Sequence, residues 1–272
     1  ALDTANGATS VVAEKVFKAL GINYRIINNH PNGININDNC GSTHLEGLKK
    51  YVVDNHISLG VAYDGDGDRC LAVDEKGNEI DGDKLLAIIS QHLRKKGKLE
   101  KDTIVATVMS NLGLNKYARD NGLELLQTKV GDRYVLEEML KDGYNLGGEQ
   151  SGHVILLDYN PTGDGILTSL MLISTILEEG KKASELSELI KLYPQVLVNA
   201  KVNSNKKYDY DKDTEIKEAI DKLEREFAGN GRVLIRPSGT EPLVRVMIEG
   251  EDQEYITKKA EEIAKLIEEK LK

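Results

Sequence analysis

The sequence predicts two mixed α/β domains with doubly wound sheets, followed by a small C-terminal α+β domain. Three observations lead to this fold class. Strand-like apolar runs alternate with helical patterns before Pro194, as in doubly wound folds with mostly parallel sheets. After Pro194 the order becomes strand, helix, strand, strand, helix. The length of 272 residues exceeds that of most single domains, so we expect domains over residues 1–80, 81–193 and 194–272.

The first expected domain opens on the strand end "ALD". A helical pattern follows and ends at Gly21, a residue type common just after helix C-termini. Thr43 is a candidate N-cap for the second helix. The remaining elements are, in order, strand NYRIIN, helix THLEGLKKYVVDN, strand SLGVAYD and a strand pair that turns at residues 76–78.

The elements of the second and third expected domains are likewise predicted from the periodicity of apolar residues. The second begins with helix DGDKLLAIISQHLRKKG and continues with strand TIVATV, helix LGLNKYARDNG, strand LELLQT, helix DRYVLEEMLKDG and a strand pair within YNLGGEQSGHVILL. Helix DGILTSLMLISTILEEG closes this domain and is followed by ASELSELIKLY. The third contains strand QVLVNAKVN, helix TEIKEAIDKLEREFAG, two strands within GRVLIRPSGTEPLVRVMIEG and a final helix. The many Lys and Glu residues of the final helix are typical of a solvated outer face.

The charge balance argues against two classes of partner. The formal net charge is -9 and the pI about 5.2, so the protein should repel nucleic acid and anionic membrane surfaces. The sequence contains no run of about 18 apolar residues, so it predicts no membrane-spanning helix. Cys40 and Cys70 have no metal-ligand spacing and suit a reducing, cytoplasmic environment. The chain has no secretory signal pattern and starts within a strand, so we expect it to come from a longer protein.

Three aspartates stand two residues apart in "DGDGDR", residues 64–69, directly after a predicted strand. An EF-hand loop is excluded, because its sixth position must be glycine and here it is Arg69. An acidic surface turn is one alternative. The other is a Mg²⁺ site on Asp64, Asp66 and Asp68, since Mg²⁺ prefers hard oxygen ligands and ligand sites gather at strand ends in α/β folds. We favour the metal site.

A second motif, "RPSGTEPLVRV" at residues 236–246, combines hydroxyl groups, a glycine and two arginines. Arginine presents a planar fork that matches phosphate oxygens two at a time. A plain hairpin turn with surface arginines would not account for this concentration of groups. The motif predicts a phosphate-binding loop that contains Arg236, Ser238, Gly239, Thr240 and Arg245.

Three further motifs carry weaker signals. In "GGEQSGH", residues 147–153, Glu149 and Ser151 would share one face of an extended segment and could bind neighbouring sugar hydroxyls, although a bulged turn would give the same pattern. In "TKVGDRYV", residues 128–135, Lys129 and Arg133 bracket a strand–helix junction.

For that junction the alternative is a helix capped by Asp132, with the two cations merely on the surface. The third motif is "NCGSTH", residues 39–44. His44 is a candidate proton shuttle there, though a lone histidine is more often structural.

Together these motifs resemble the α-D-phosphohexomutase family. The resemblance rests on the metal loop "DGDGDR", the sugar loop "GGEQSGH" and the phosphate loop "RPSGTEPLVRV", and it extends over the whole chain. "NCGSTH" and Gln150 resemble the glucosamine-phosphate branch, whereas phosphomannomutase and phosphoglucomutase relatives tend to have methionine at the position of Gln150. Family members have four domains, and this chain resembles the second, third and fourth.

The resemblance implies an intramolecular phosphotransferase that interconverts glucosamine 6-phosphate and glucosamine 1-phosphate, on the route to UDP-N-acetylglucosamine and the cell wall. A phosphoserine would exchange its phosphoryl group with the phosphosugar substrate through a bisphosphate intermediate, and a hexose or hexosamine 1,6-bisphosphate would prime the serine. The implied roles are Mg²⁺ binding by Asp64, Asp66 and Asp68; catalysis by Arg69 and by Lys129 or His44; substrate binding by Arg133, Glu149, Ser151 and His153; and phosphate binding by Arg236, Ser238, Gly239, Thr240 and Arg245.

The chain departs from the family pattern at one point, because it contains no "TASHNP"-type loop with the family's serine. Ser10 and Ser42 lie in other contexts. We therefore expect these 272 residues to be inactive alone. Two alternatives remain open: another phosphohexomutase, such as a phosphomannomutase or phosphoglucomutase, or a non-catalytic sugar-phosphate-binding module. A second copy of the chain, in a homodimer, is a further candidate partner.

Overall fold

The computed structural model describes all residues, Ala1–Lys272, and they form two compact units. The first unit consists of Ala1–Ser110 and Leu114–Lys191, and the second of Asn111–Gly113 and Leu192–Lys272. Two mixed sheets lie in the first unit and one antiparallel sheet lies in the second. This architecture confirms the predicted fold class.

The first sheet has five strands in the order β2-β1-β3-β4-β5. Strand β1 pairs in parallel with β2 and β3, whereas the β3–β4 and β4–β5 pairs are antiparallel. The elements of this part of the chain are β1 (Leu2–Asp3), α1 (Thr9–Ala19), β2 (Ile26–Ile27), α2 (Glu46–Asp54), β3 (Leu59–Tyr63), β4 (Cys70–Asp74) and β5 (Glu79–Ile80).

The second sheet has four strands in the order β7-β6-β8-β9. Strand β6 pairs in parallel with β7 and β8, and β8 pairs antiparallel with β9. The elements are α3 (Gly82–Lys95), β6 (Thr103–Thr107), α4 (Leu112–Asp120), β7 (Glu124–Thr128), α5 (Asp132–Asp142), β8 (Leu146–Gly148), β9 (Val154–Leu156), α6 (Gly165–Glu179) and α7 (Ala183–Ser187).

Helix α6 holds the two sheets of the first unit together. Asp164 caps its first turn by accepting a hydrogen bond from the Leu167 N–H at 2.9 Å, and Gly180 ends the helix in the left-handed conformation. The helix packs against β3 and β4 of the first sheet and against β9 of the second. The buried hydroxyl groups of Tyr63 and Ser169 meet at 2.9 Å in this contact. The loop that precedes β4 and the loop that follows β8 are thereby held next to each other.

The second unit is a three-stranded antiparallel sheet, in the order β10-β12-β11, with two helices. Apolar side chains of both helices and of the sheet form its core, while the remaining face of the last helix is exposed as predicted. The elements are β10 (Gln195–Lys201), α8 (Thr214–Phe227), β11 (Gly231–Pro237), β12 (Leu243–Gly250) and α9 (Gln253–Lys270). None of the helices combines the length and the apolar character that crossing a membrane would require.

Two local predictions were wrong. Thr43 does not cap α2, because it belongs to a 3-10 turn (Gly41–Thr43) and the helix begins at Glu46 without a side-chain cap. The strand expected in NYRIIN is only two residues long, Ile26–Ile27. Elements this short contain too few residues to show a periodicity in the sequence, so tertiary packing determines where they begin and end.

Candidate active site

The aspartate-rich loop joins β3 to β4 and folds around the first of its carboxylates. Asp64 is 5% exposed, and its Oδ1 accepts hydrogen bonds from the backbone N–H groups of Gly67 and Arg69, both at 3.1 Å. The Arg69 Nε lies 3.8 Å from Asp64 Oδ2. The loop is therefore a closed turn that holds Asp64 in place and leaves Asp66 exposed.

The three carboxylates fit a divalent cation. One oxygen from each of Asp64, Asp66 and Asp68 can be chosen so that all three lie within 4.8 Å of one another. Asp68 Oδ1 is buried without a hydrogen-bond partner, which is costly for a carboxylate oxygen unless another ligand satisfies it. Burial, together with the neighbouring Asp68, raises the pKa of Asp64. Oxygen donors, crowded negative charge and a bare buried lone pair suit Mg²⁺.

The sugar loop of the second sheet lies directly against the metal loop of the first. The Cys70 N–H donates to Gly152 O at 3.0 Å, and Arg69 forms an isolated antiparallel bridge with His153. The Gly165 N–H, at the start of α6, donates to Gly67 O at 2.9 Å. The structure thus brings together two motifs that are far apart in the chain and that sequence analysis could only treat separately.

The side chain of His153 also connects these loops. Its Nδ1 lies 2.9 Å from Asp68 Oδ2, and its Nε2 accepts a hydrogen bond from the Gly163 N–H at 3.2 Å. Asp132 Oδ2 lies 3.9 Å from the same Nε2. Neither Gly163 nor Asp132 was predicted as a site residue, since neither stands in a motif that indicates a role beside a histidine.

The sugar loop itself is a turn and not an extended segment. The Gly152 N–H donates to Glu149 O at 3.0 Å, so the shared face of Glu149 and Ser151 cannot come from strand alternation. Ser151 is exposed, while Gln150 donates from Nε2 to Asp81 Oδ2 at 3.3 Å. Asp81 also caps α3, so the turn is anchored to that helix.

Glu149 connects the sugar loop to the junction between β7 and α5. Its Oε1 accepts a hydrogen bond from the Gly131 N–H at 3.1 Å. Lys129, two residues earlier, is exposed. Gly131, with φ +128°, occupies the cap position of α5, so the alternative that Asp132 caps this helix was wrong. The junction that carries Lys129 is therefore tied to the sugar loop through Glu149.

Two predicted site residues stand apart from these contacts. The Arg133 guanidinium, 81% exposed, pairs with Glu137 one turn along α5 at 2.8 Å, and this hydrogen bond raises the pKa of Arg133. His44 is exposed at the end of the 3-10 turn that contains Gly41. Gly41 itself contacts the end of β3, because a Cβ added there would lie 2.5 Å from Tyr63 O.

In the second unit, the two arginines of the phosphate loop face each other across the β11–β12 ladder. Arg236 and Arg245 are direct Cα partners, so their side chains project from the same face. Burial and the charge of Arg245 lower the pKa of Arg236. Glu241 Oε2 lies 3.3 Å from Arg245 Nη2 and neutralises part of this charge. Opposed like charges are unfavourable, and an anion bound between them would relieve the repulsion.

The turn between these strands is closed by its own polar groups. Ser238 is buried, its N–H donates to Leu243 O at 2.8 Å, and its Oγ accepts from the Glu241 N–H at 3.2 Å. Gly239 and Thr240 are exposed at the tip. Lys207 donates from Nζ to Ser238 O at 2.7 Å and adds a third cation at this turn. Sequence analysis missed Lys207 because it stands in a polar loop far from the motif.

Comparison with known proteins identifies the family. Three models of phosphoglucomutase/phosphomannomutase domains match consecutive parts of the chain: α/β/α domain II at residues 1–77, α/β/α domain III at residues 81–193 and the C-terminal domain at residues 197–266. The chain belongs to the α-D-phosphohexomutase family.

Individual relatives agree with this assignment. A phosphoglucosamine mutase of Caldicellulosiruptor saccharolyticus is 59% identical over 270 residues, which are 99% of this chain and 60% of that protein. A phosphoglucosamine mutase of Clostridium botulinum is 58% identical over 272 residues, or 100% and 61%. The chain thus spans about three fifths of the length of these relatives.

A solved structure has the same fold. Aspergillus fumigatus N-acetylphosphoglucosamine mutase, in complex with GlcNAc-6P and magnesium, superposes with a TM-score of 0.77 at 21% identity. The match covers 98% of this chain and 61% of that one.

Proposed function

We propose that this chain supplies the metal, sugar and phosphate sites of a phosphoglucosamine mutase that interconverts glucosamine 6-phosphate and glucosamine 1-phosphate. The observation that carries the proposal is the aspartate triad with its bare, buried Asp68 oxygen, next to the sugar loop. The identity of 58–59% to two phosphoglucosamine mutases supports the choice of substrate within the family. We also propose that the three domains of the chain consist of residues 1–80, 81–193 and 194–272.

In this proposal the carboxylates of Asp64, Asp66 and Asp68 hold Mg²⁺. Magnesium, when bound, offsets negative charge on the phosphoryl group that is transferred. Arg69 lies in the same loop and contributes a second positive charge toward that group. Because the Asp64 carboxylate accepts two backbone N–H groups, the loop keeps its shape without the cation.

The sugar loop and the β7–α5 junction bind the sugar. Glu149 accepts hydrogen bonds from sugar hydroxyls, and Ser151 accepts and donates them, in both substrate orientations. Arg133, which pairs with Glu137 along α5, adds positive charge to the substrate side of this junction. Lys129 is the better candidate to receive the proton of the attacking hydroxyl, because its loop is tied to Glu149 through Gly131. His44 is the second candidate for this transfer.

The loop of the second unit binds the phosphate that does not react. Arg236 and Arg245 provide charge-assisted hydrogen bonds, and Gly239 and Thr240 offer exposed backbone and hydroxyl groups. Ser238 shapes the turn through its internal hydrogen bonds. Lys207 adds positive charge at the same turn.

The nucleophile is a phosphoserine outside these 272 residues. Its phosphoryl group passes to the free sugar hydroxyl, which forms one P–O bond as the serine P–O bond breaks, and the other phosphate of the bisphosphate then returns to the serine. A hexose or hexosamine 1,6-bisphosphate phosphorylates the serine initially. The sequence contains no family-type serine loop, so the chain alone should fold cooperatively without mutase turnover.

Conversion of glucosamine 6-phosphate, followed by ³¹P NMR with Mg²⁺ and a bisphosphate primer, tests this proposal. A longer protein that contains these residues and the serine loop should produce glucosamine 1-phosphate, and the 272-residue chain should not. Glucose 6-phosphate and mannose 6-phosphate serve as competing substrates. Faster turnover of either one would favour another phosphohexomutase, and turnover by the chain alone would disprove the external nucleophile.

A further inference from the structure

The imidazole of His153 has both ring nitrogens occupied by the protein. Nδ1 faces Asp68 Oδ2 at 2.9 Å, and Nε2 faces the backbone N–H of Gly163 at 3.2 Å. The side chain is only 5% exposed. A histidine that contacts substrate needs a free ring nitrogen, so this arrangement does not suit the direct substrate binding that sequence analysis predicted.

Each nitrogen independently determines the same tautomer. The Gly163 N–H can only donate, so Nε2 must carry a lone pair. An ionised carboxylate can only accept, so Nδ1 must carry the proton that it donates to Asp68 Oδ2. Asp132 Oδ2, at 3.9 Å from Nε2, is beyond hydrogen-bond distance and does not compete with Gly163.

The position of the ring is fixed by close packing and by the backbone. A Cβ at Gly163 would lie 2.5–2.7 Å from three atoms of the imidazole, so glycine allows the chain to lie flat against the ring. The backbone of His153 pairs with Arg69, one residue after Asp68. Ring and carboxylate are therefore attached to the same pair of segments, which limits their relative movement.

The two carboxylate oxygens of Asp68 have different surroundings. Oδ2 accepts from His153, while Oδ1 is buried and has no partner. We propose that His153 is a positioning residue: its Nδ1–H holds Asp68 Oδ2 so that Oδ1 points at the cation shared with Asp64 and Asp66. This inference rests on the proposed metal site. The hydrogen bond also fixes the rotation of the carboxylate, as partners behind a metal ligand commonly do.

The tautomer is tested first, on the cation-free 272-residue chain. Long-range ¹H–¹⁵N correlation spectra of its five histidines should contain one ring with a protonated Nδ1 and a bare Nε2, and this signal should vanish in His153→Asn. A His153 ring with its proton on Nε2 would overturn the inference, because Asp68 would then have no donor.

Substitutions that separate hydrogen bonding from volume test the role. His153→Asn keeps an N–H donor close to the place of Nδ1 in a smaller side chain, whereas His153→Phe keeps a ring without a donor. We expect His153→Phe to weaken Mg²⁺ binding about 10- to 100-fold by calorimetry, and His153→Asn to weaken it much less. If packing alone matters, the order reverses and the inference fails.

Two further variants complete the design. Gly163→Ala displaces the imidazole without removing a polar group and should weaken Mg²⁺ binding even if His153→Phe does not fold. His56→Asn is the matched control, because His56 is exposed and its φ of +51° suits asparagine. Wild type that shows the expected tautomer but binds no Mg²⁺ would overturn the proposed metal site itself. Equal Mg²⁺ affinity of wild type, His153→Phe and Gly163→Ala would overturn only the positioning role.

Discussion

The metal loop and the phosphate loop have the same local architecture but opposite charge. Each joins two antiparallel strands, β3 to β4 and β11 to β12. Acidic side chains predominate in the metal loop and basic side chains in the phosphate loop. Both loops are closed by hydrogen bonds of their own residues, but the metal loop also contacts His153 of a second sheet, whereas the phosphate loop has Lys207 as its additional contact. A small cation needs oxygens in fixed positions, while arginine forks can adjust to a phosphate.

The largest effect should come from substituting Asp66, the exposed carboxylate of the metal loop. Asp66→Asn should abolish Mg²⁺ binding in calorimetry and mutase turnover in the longer protein, because the triad loses one anionic ligand. Asp54→Asn removes the same charge from the exposed end of α2 and serves as the control. Equal Mg²⁺ binding by wild type and Asp66→Asn would contradict the assignment of the triad.

Breaking the phosphate loop should be less severe. Arg245→Ala in the longer protein should raise KM roughly 10- to 150-fold, the equivalent of about 1.5–3 kcal/mol for a lost charge-assisted hydrogen bond. Steady-state kinetics measure this change. Arg119→Ala is the control, since Arg119 is exposed and forms its ion pair with the adjacent Asp120. An unchanged KM in Arg245→Ala would argue against phosphate binding at this loop.

The close packing of the sugar loop against the start of α3 can be tested without ligand. A Cβ at Gly82 would lie 2.0 Å from Glu149 O, so Gly82→Ala should lower the free energy of unfolding by about 1–3 kcal/mol through overpacking of the sugar loop. Gly47→Ala, near the start of α2 where a Cβ meets nothing within 4 Å, should raise it by about 0.4–1 kcal/mol. Denaturant unfolding of the 272-residue chain compares them, and similar values for both would refute the close approach.

The smallest effect concerns the anchor of the sugar loop. Burial raises the pKa of Asp81 in the folded state, so the native protein binds this proton more tightly than the unfolded chain does. Stability that Asp81 contributes is therefore lost as pH rises from about its ordinary value of 3.8 through the raised pKa.

Asp81→Asn removes this titration and retains an oxygen that can cap α3. Relative to wild type, the variant should become more stable as pH rises through that window. Thermal unfolding from about pH 3.5 to about pH 7 measures the difference. A constant difference across this range would show that the Asp81 carboxyl does not titrate abnormally.

The amino-acid sequence by itself determined the order of the elements and the positions of the chemical motifs. Alternating strand and helix periodicities predicted the α/β class, and the change after Pro194 predicted a different C-terminal fold. The spacing of Asp64, Asp66 and Asp68 predicted the cluster that the structure contains, because residues two apart in a short loop stay close whatever surrounds them.

Only the tertiary structure decided which motifs meet and how their side chains are used. The pairing of Asp68 with His153, the packing of Gly163 on the imidazole and the proximity of Lys207 to Ser238 all join residues that are distant or unremarkable in the chain. The turn that begins at residue 149 likewise depends on α3. Such contacts arise from the packing of whole elements, and local periodicity contains no information about them.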